Sequence, residues 1–128
     1  MNSIDFRREL HRHPELSFEE HRTQRFILDA LRAEGIDCRE IATTGVLAKI
    51  EGDRGNICRC VVLRADIDAL PIEEHNDVEY RSENQGVMHA CGHDMHAAVL
   101  FGVLQEFARN RDFEGTLFGI FQPGEELN

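Results

Sequence analysis

Apolar and polar positions along the chain change period several times, and each change predicts an element. Ile4 to His13 reads as a short helix, stopped at Pro14 because the residue before a proline avoids the helical region. Ser17-Phe18-Glu19-Glu20 matches a capping box, serine first and glutamate three residues later. Thr23, Ile27, Ala30 and Leu31 then follow at helical spacing, with Gly35 placed to end the helix. Ile36 to Ile41 alternates, Gly45 punctuates, and Val46-Leu47-Ala48-Lys49-Ile50 resumes before a turn-rich Gly52-Asp53-Arg54-Gly55-Asn56, which predicts an antiparallel pair of strands. Cys60-Val61-Val62-Leu63 is a continuous apolar run, expected to be a strand covered on both faces. A long polar loop is expected from Asp66 to Ala90. Ala97 to Ala108 is apolar almost all round and predicts a buried helix, and Gly115 to Phe121 a further strand.

Strand, helix, strand between residues 60 and 121 is a βαβ unit, which requires parallel strands and places the chain in the α/β class. Sites in such sheets lie beyond the carboxyl ends of the strands. Asp66 and Asp68 follow the first of these strands, Glu125 and Glu126 the second, and a Cys/His cluster precedes the helix between them. Three motifs distant in sequence are thus expected on one rim.

Composition narrows the function classes. The chain has 128 residues, 41% apolar and 30% charged, which suits one soluble domain with a sizeable core. The formal charge of −10 argues against nucleic acid and anionic membrane surfaces as partners. No run reaches membrane-spanning length and the start carries no signal-peptide pattern, so the expected address is cytoplasmic. Of the four cysteines, Cys38, Cys58 and Cys60 are expected to be reduced, small buried hydrophobes, whereas the neighbours of Cys91 set it apart.

Those neighbours form Met88-His89-Ala90-Cys91-Gly92-His93-Asp94-Met95-His96, a thiol, three imidazoles and a carboxylate within nine residues. These are donors for zinc and its transition-metal neighbours. Cys91 and His93 flank a glycine that lets a loop aim both at one ion, and His96 lies about one helical turn beyond; His89 and His96 are equally open to capping or solvent roles. Asp68 suits a hydrogen bond to a metal-bound histidine. Asp94 fits that role too, or the start of the following helix. Glu125 and Glu126 are adjacent and so divide two tasks: one binds metal while the other takes a proton from metal-acidified water ahead of attack on an amide carbonyl. His11, His13, His21 and His75 sit among charged residues and are expected to be exposed or capping.

Four ordered motifs carry a resemblance that covers essentially the whole chain: Leu10-His11-Arg12-His13-Pro14-Glu15-Leu16-Ser17-Phe18-Glu19-Glu20, Leu63-Arg64-Ala65-Asp66-Ile67-Asp68-Ala69-Leu70-Pro71, Gly86-Val87-Met88-His89-Ala90-Cys91-Gly92-His93-Asp94 and Phe121-Gln122-Pro123-Gly124-Glu125-Glu126. The chain resembles the amidohydrolase branch of the M20 metallopeptidases, which includes N-acyl-amino-acid amidohydrolases, hippurate hydrolases and auxin-conjugate hydrolases. The resemblance implies the N-terminal portion of a zinc-peptidase-like catalytic domain, with helices packed on a mixed sheet. It also implies two divalent ions (zinc, manganese, nickel or cobalt) in the complete enzyme and a small N-acyl amino acid as substrate, with a homo-oligomer left open. By similarity Cys91, His93 and Glu126 would bind metal, Glu125 would be the general base and Asp68 would orient the metal site. Asp66 stands where other branches carry a ligand histidine and is not assigned to metal. Gly124 replaces the family's usual alanine.

Family members run to several hundred residues, with two further histidine ligands, a lid and dimerisation domain and the last part of the catalytic sheet downstream. Residues 1–128 are therefore expected to be the N-terminal part of the catalytic domain, with three of about five ligands, and to be inactive alone. Two other readings stay open. His89, Cys91, His93 and His96 could close a purely structural metal site, or the chain could self-associate without metal through an exposed strand edge.

Overall fold

The computed structural model describes residues 1–55 and 59–127. Among them, three α-helices and four strands occur in the order α1 (Ser3–Arg12), α2 (His21–Ala33), β1 (Asp37–Ile41), β2 (Gly45–Glu51), β3 (Cys60–Asp66), α3 (His93–Arg109) and β4 (Thr116–Gln122). A 3₁₀ turn, Glu125–Leu127, follows β4. The strands form one mixed sheet in the order β1-β2-β4-β3. β1 pairs antiparallel with β2, and β2 antiparallel with β4. β3 and β4 run parallel, with Asp66 opposite Gln122, so the expected βαβ unit is present and its strands end together. Asn56 and Cys58, read above as turn and buried thiol, lie outside the described residues.

One face of the sheet carries the core. Val46, Ala48, Ile50, Ala65, Leu117 and Phe121 point from the strands toward Ile27 and Leu31 of α2 and Ala97, Phe101 and Leu104 of α3. α1 packs on α3, where Phe6 and Phe101 stack with ring centroids 4.3 Å apart. All of these side chains are buried, so hydrophobic burial fixes the layer against which the site is built.

Several expectations are corrected by this packing. β3 is an edge strand, so it is not covered on both faces: Val61 and Val62 are 58% and 53% exposed, and Cys60 is exposed rather than buried. α3 is buried along one side only, since Val99 and Phe107 face outward at 63% and 39%. Ser17 does not cap α2, because Phe18 takes a left-handed conformation (φ 62°) and delays the helix until His21. The carboxyl group of Glu15 serves instead, accepting from Arg22 N and Thr23 N at 3.1 and 2.7 Å. At the other end Gly35 N and Ile36 N close on the carbonyls of Arg32 and Leu31, as expected.

Candidate metal centre

Where β3 and β4 end side by side, the chain leaves both strands toward the same rim. Ile67 N still donates to Gln122 O, and the next residue, Asp68, is fully buried. Asp68 Oδ2 accepts from Ser17 Oγ at 2.7 Å and from Glu126 N at 2.8 Å. His93, the first residue of α3, brings Nδ1 to the main-chain oxygen of Asp68 at 2.9 Å and to its Oδ1 at 3.1 Å. Both partners are acceptors, so Nδ1 carries the proton and Nε2 is left to face Glu125 Oε2 at 3.6 Å and Glu126 Oε1 at 3.8 Å.

Gly92 precedes α3 in a left-handed conformation (φ 86°), which a side chain would strain; this bend lets Cys91 and His93 share a target. One ligand atom each from Cys91, His93 and Glu126 lie within 4.8 Å of one another. Gly124 is the second positive-φ glycine of the rim (φ 67°), and the ring of Phe18 fills the space a Cβ would need. A glycine in place of alanine at this position therefore leaves room for Phe18.

A divalent cation fits this arrangement on three grounds. Glu126 Oε1 is buried without a hydrogen-bond partner, a costly state that a bound ion would relieve. His93 Nε2 is held toward the same space by Asp68, the usual way a carboxylate fixes a ligating imidazole. Thiolate, imidazole and carboxylate together make a zinc-type donor set. Without an ion, the hydrogen bond and charge of Glu126, added to burial and Glu125, push the Cys91 thiol above its ordinary pKa; a cation reverses the sign of that field.

The other candidates separate. Asp66 and His96 form a second group with His93, again within 4.8 Å. His89 joins no such group among the described residues. It is 4% exposed, both ring nitrogens lack partners, and burial lowers its pKa to about 4. Asp94 turns away to Arg7 Nε at 2.7 Å and His11 Nδ1 at 2.8 Å, locking α3 to α1. His11 was expected at the surface; it is 4% exposed and bridges Asp94 to Glu74 Oε1 at 3.0 Å, which supplies the polar partners its burial requires. His21 and His75 are exposed as expected, and His13 is partly buried.

Two supports escaped sequence reasoning. Ser17 was assigned to a helix cap. Glu20, fully buried, accepts from Thr44 Oγ1 and from Gly124 N at 2.9 Å, pinning the turn that carries Glu125 and Glu126. The sequence pattern reads both as the serine and glutamate of a capping box, an arrangement that the left-handed Phe18 breaks.

The chain is similar in sequence and in fold to known proteins. The chain is 46% identical over 125 residues to an N-acetyldiaminopimelate deacetylase of Halalkalibacterium halodurans, covering 96% of this chain and 33% of that protein. It is 45% identical over 126 residues to an N-acyl-L-amino acid amidohydrolase of Geobacillus stearothermophilus, covering 97% and 34%. The crystal structure of the Bacillus subtilis YXEP protein, described as a dinuclear metal binding peptidase from the M20 family, superposes with a TM-score of 0.91 at 42% identity, over 97% of this chain and 35% of that one. The chain thus spans about a third of the length of the curated relatives it matches. Residues 62–128, which contain Asp68, Cys91, His93, Glu125 and Glu126, match the sequence profile of one family, and the chain belongs to peptidase family M20/M25/M40.

Proposed function

We propose that the complete protein hydrolyses the amide bond of N-acyl amino acids, releasing a carboxylate and a free amino acid. The observation that carries this reading is the convergence of Cys91, His93 and Glu126, with Glu126 Oε1 buried without a hydrogen bond and Asp68 behind His93. The names of the similar N-acetyldiaminopimelate deacetylase and N-acyl-L-amino acid amidohydrolase support the same substrate class. In this reading residues 1–128 form the N-terminal part of the catalytic domain. The rest of that domain, with further ligands, and a lid and dimerisation domain follow in the complete protein.

Cys91, His93 and Glu126 would hold one of two divalent ions, of the zinc, manganese, nickel or cobalt group. When bound, such ions polarise an acyl carbonyl and acidify water. Asp68 keeps the proton of His93 on Nδ1 and receives the backbone N–H of Glu126, so it sets the direction of two ligands at once. Glu125, on the same 3₁₀ turn and partly exposed, takes a proton from the attacking water and returns it to the leaving amine. Glu20 holds the turn in place through Gly124 N. A cytoplasmic location accords with the free thiols of Cys38, Cys60 and Cys91.

In the complete enzyme, Glu125→Gln should abolish turnover of N-acetyl amino acids while leaving metal content, measured by elemental analysis, unchanged. Retained turnover would remove Glu125 from the mechanism, and loss of metal would make it a ligand. The 128-residue chain by itself should show little or no turnover.

A further inference from the structure

His93 and His96 stand three residues apart at the start of α3, a spacing that puts both rings on one face of the helix. Their centroids are 5.8 Å apart with planes inclined at 36°. Asp66, the last residue of β3, lies beside them, and one ligand atom from each of the three falls within 4.8 Å of the others. Arg64 donates to Asp66 Oδ1 through Nε at 2.9 Å and Nη2 at 2.7 Å, which fixes the carboxylate in one orientation. Because Asp68 engages Nδ1 of His93, Nε2 is the nitrogen His93 can offer an ion on either side.

We propose that Asp66, His93 and His96 form a second, alternative seat for a divalent cation of the zinc, cobalt or nickel class. It shares His93 with the Cys91 and Glu126 seat, so the two cannot be filled together. Two imidazoles and one carboxylate are a recurrent three-ligand set with positions left open to water. Nitrogen donors disfavour calcium and magnesium. Ligand atoms at about 2.0–2.2 Å from one ion stand roughly 3–4 Å apart, so the group must draw in by about an ångström. The exposed His96 side chain can supply that movement. One lone pair on Nε2 serves one ion, which makes the seats alternatives. The inference goes beyond amide hydrolysis and holds or fails separately from it.

The test uses the 128-residue chain with Cys91→Ser, which removes the thiolate and with it the competing seat's strongest donor. Cys91 and His96 are both exposed, so changes at either leave the core intact. Titrated with cobalt(II), C91S should bind one ion per chain without a sulfur-to-cobalt band, and adding His96→Ala or Asp66→Asn should weaken binding about tenfold or more. Saturating zinc should protect His96 from diethyl pyrocarbonate, read by mass spectrometry, while the exposed His21 and His75 stay reactive. Unchanged affinity in the C91S/H96A chain, or a His96 as reactive as His75 under zinc, would overturn the proposal. The sulfur-to-cobalt band of the unaltered chain reports on the Cys91 seat alone, so failure of that seat is read independently.

Discussion

Glu20 has no solvent exposure, yet it makes two bonds that reach across the molecule, one to Thr44 in the β1–β2 turn and one to Gly124 N beside Glu125. Removing its carboxyl group strands a buried N–H, and a buried donor left unpaired costs about 1–3 kcal/mol in addition to the bond lost. Glu20→Ala should therefore lower the unfolding free energy by about 2–4 kcal/mol in urea denaturation. Glu20→Gln, whose amide oxygen can still accept from Gly124 N, should lose less. Equal losses in both variants would show that the negative charge, which both variants lack, and not the bond to Gly124 N, is what Glu20 supplies. Ser17 works at the same scale: its hydroxyl and Glu126 N share one oxygen of Asp68, so the carboxylate that aligns His93 is itself held from two sides.

At the scale of elements, α1 and α3 are joined to the loop between β3 and α3 by His11, which touches Asp94 on one side and Glu74 on the other. The hydrogen bond to Asp94, and then that to Glu74, raise the His11 pKa above 6.5 against the effect of burial. Glu74 and Asp94 are in turn held below 4.5 and 3.8. A histidine whose folded pKa is raised contributes fully below its unfolded value and loses that contribution as pH rises through the folded one; the carboxyls lose theirs as pH falls through their lowered values. The stability difference between the native chain and His11→Asn should thus be greatest between about pH 4.5 and 6.5 and should shrink above 6.5. Arg7 beside Asp94, the Tyr80 ring edge and His89 also face this cluster. His89, held neutral down to about pH 4 by burial and in part by the charge of His11, opposes the trend more in the native chain than in His11→Asn and so narrows the difference without changing its sign. Urea titrations across pH check this, and a difference that grows above pH 6.5 would reverse the assignment.

At the scale of the whole molecule, the helices cover one face of the sheet and β3 closes its edge with no partner strand among the described residues. Seven residues of edge backbone with Val61 and Val62 half exposed are a template for pairing with another chain. The 128-residue chain should associate with rising concentration in analytical ultracentrifugation, metal present or not. Val62→Lys, which places a charge on the exposed face of that edge, should shift it toward monomer without lowering its melting temperature. Association that ignores this change would place the contact elsewhere.

The sequence by itself determined what is local. Pro14 ended α1, the apolar periods placed β2, α3 and β4, and the density of thiol, imidazole and carboxylate around Gly92 marked a metal-type donor set, because each of these is decided by residues within a turn or two of one another. The βαβ order even placed three motifs on one rim, since parallel strands must end at the same edge. Tertiary structure decided the rest. Ser17 meets Asp68 across 51 residues, His11 meets Asp94 across 83, and Glu20 meets Gly124 across 104. No period or spacing encodes such pairs; they follow from which buried polar groups the packed layers bring within hydrogen-bond reach. The exposure of Cys60, Val62 and Val99 has the same origin: an apolar pattern states a preference for burial, and only the assembled layers decide which faces are covered.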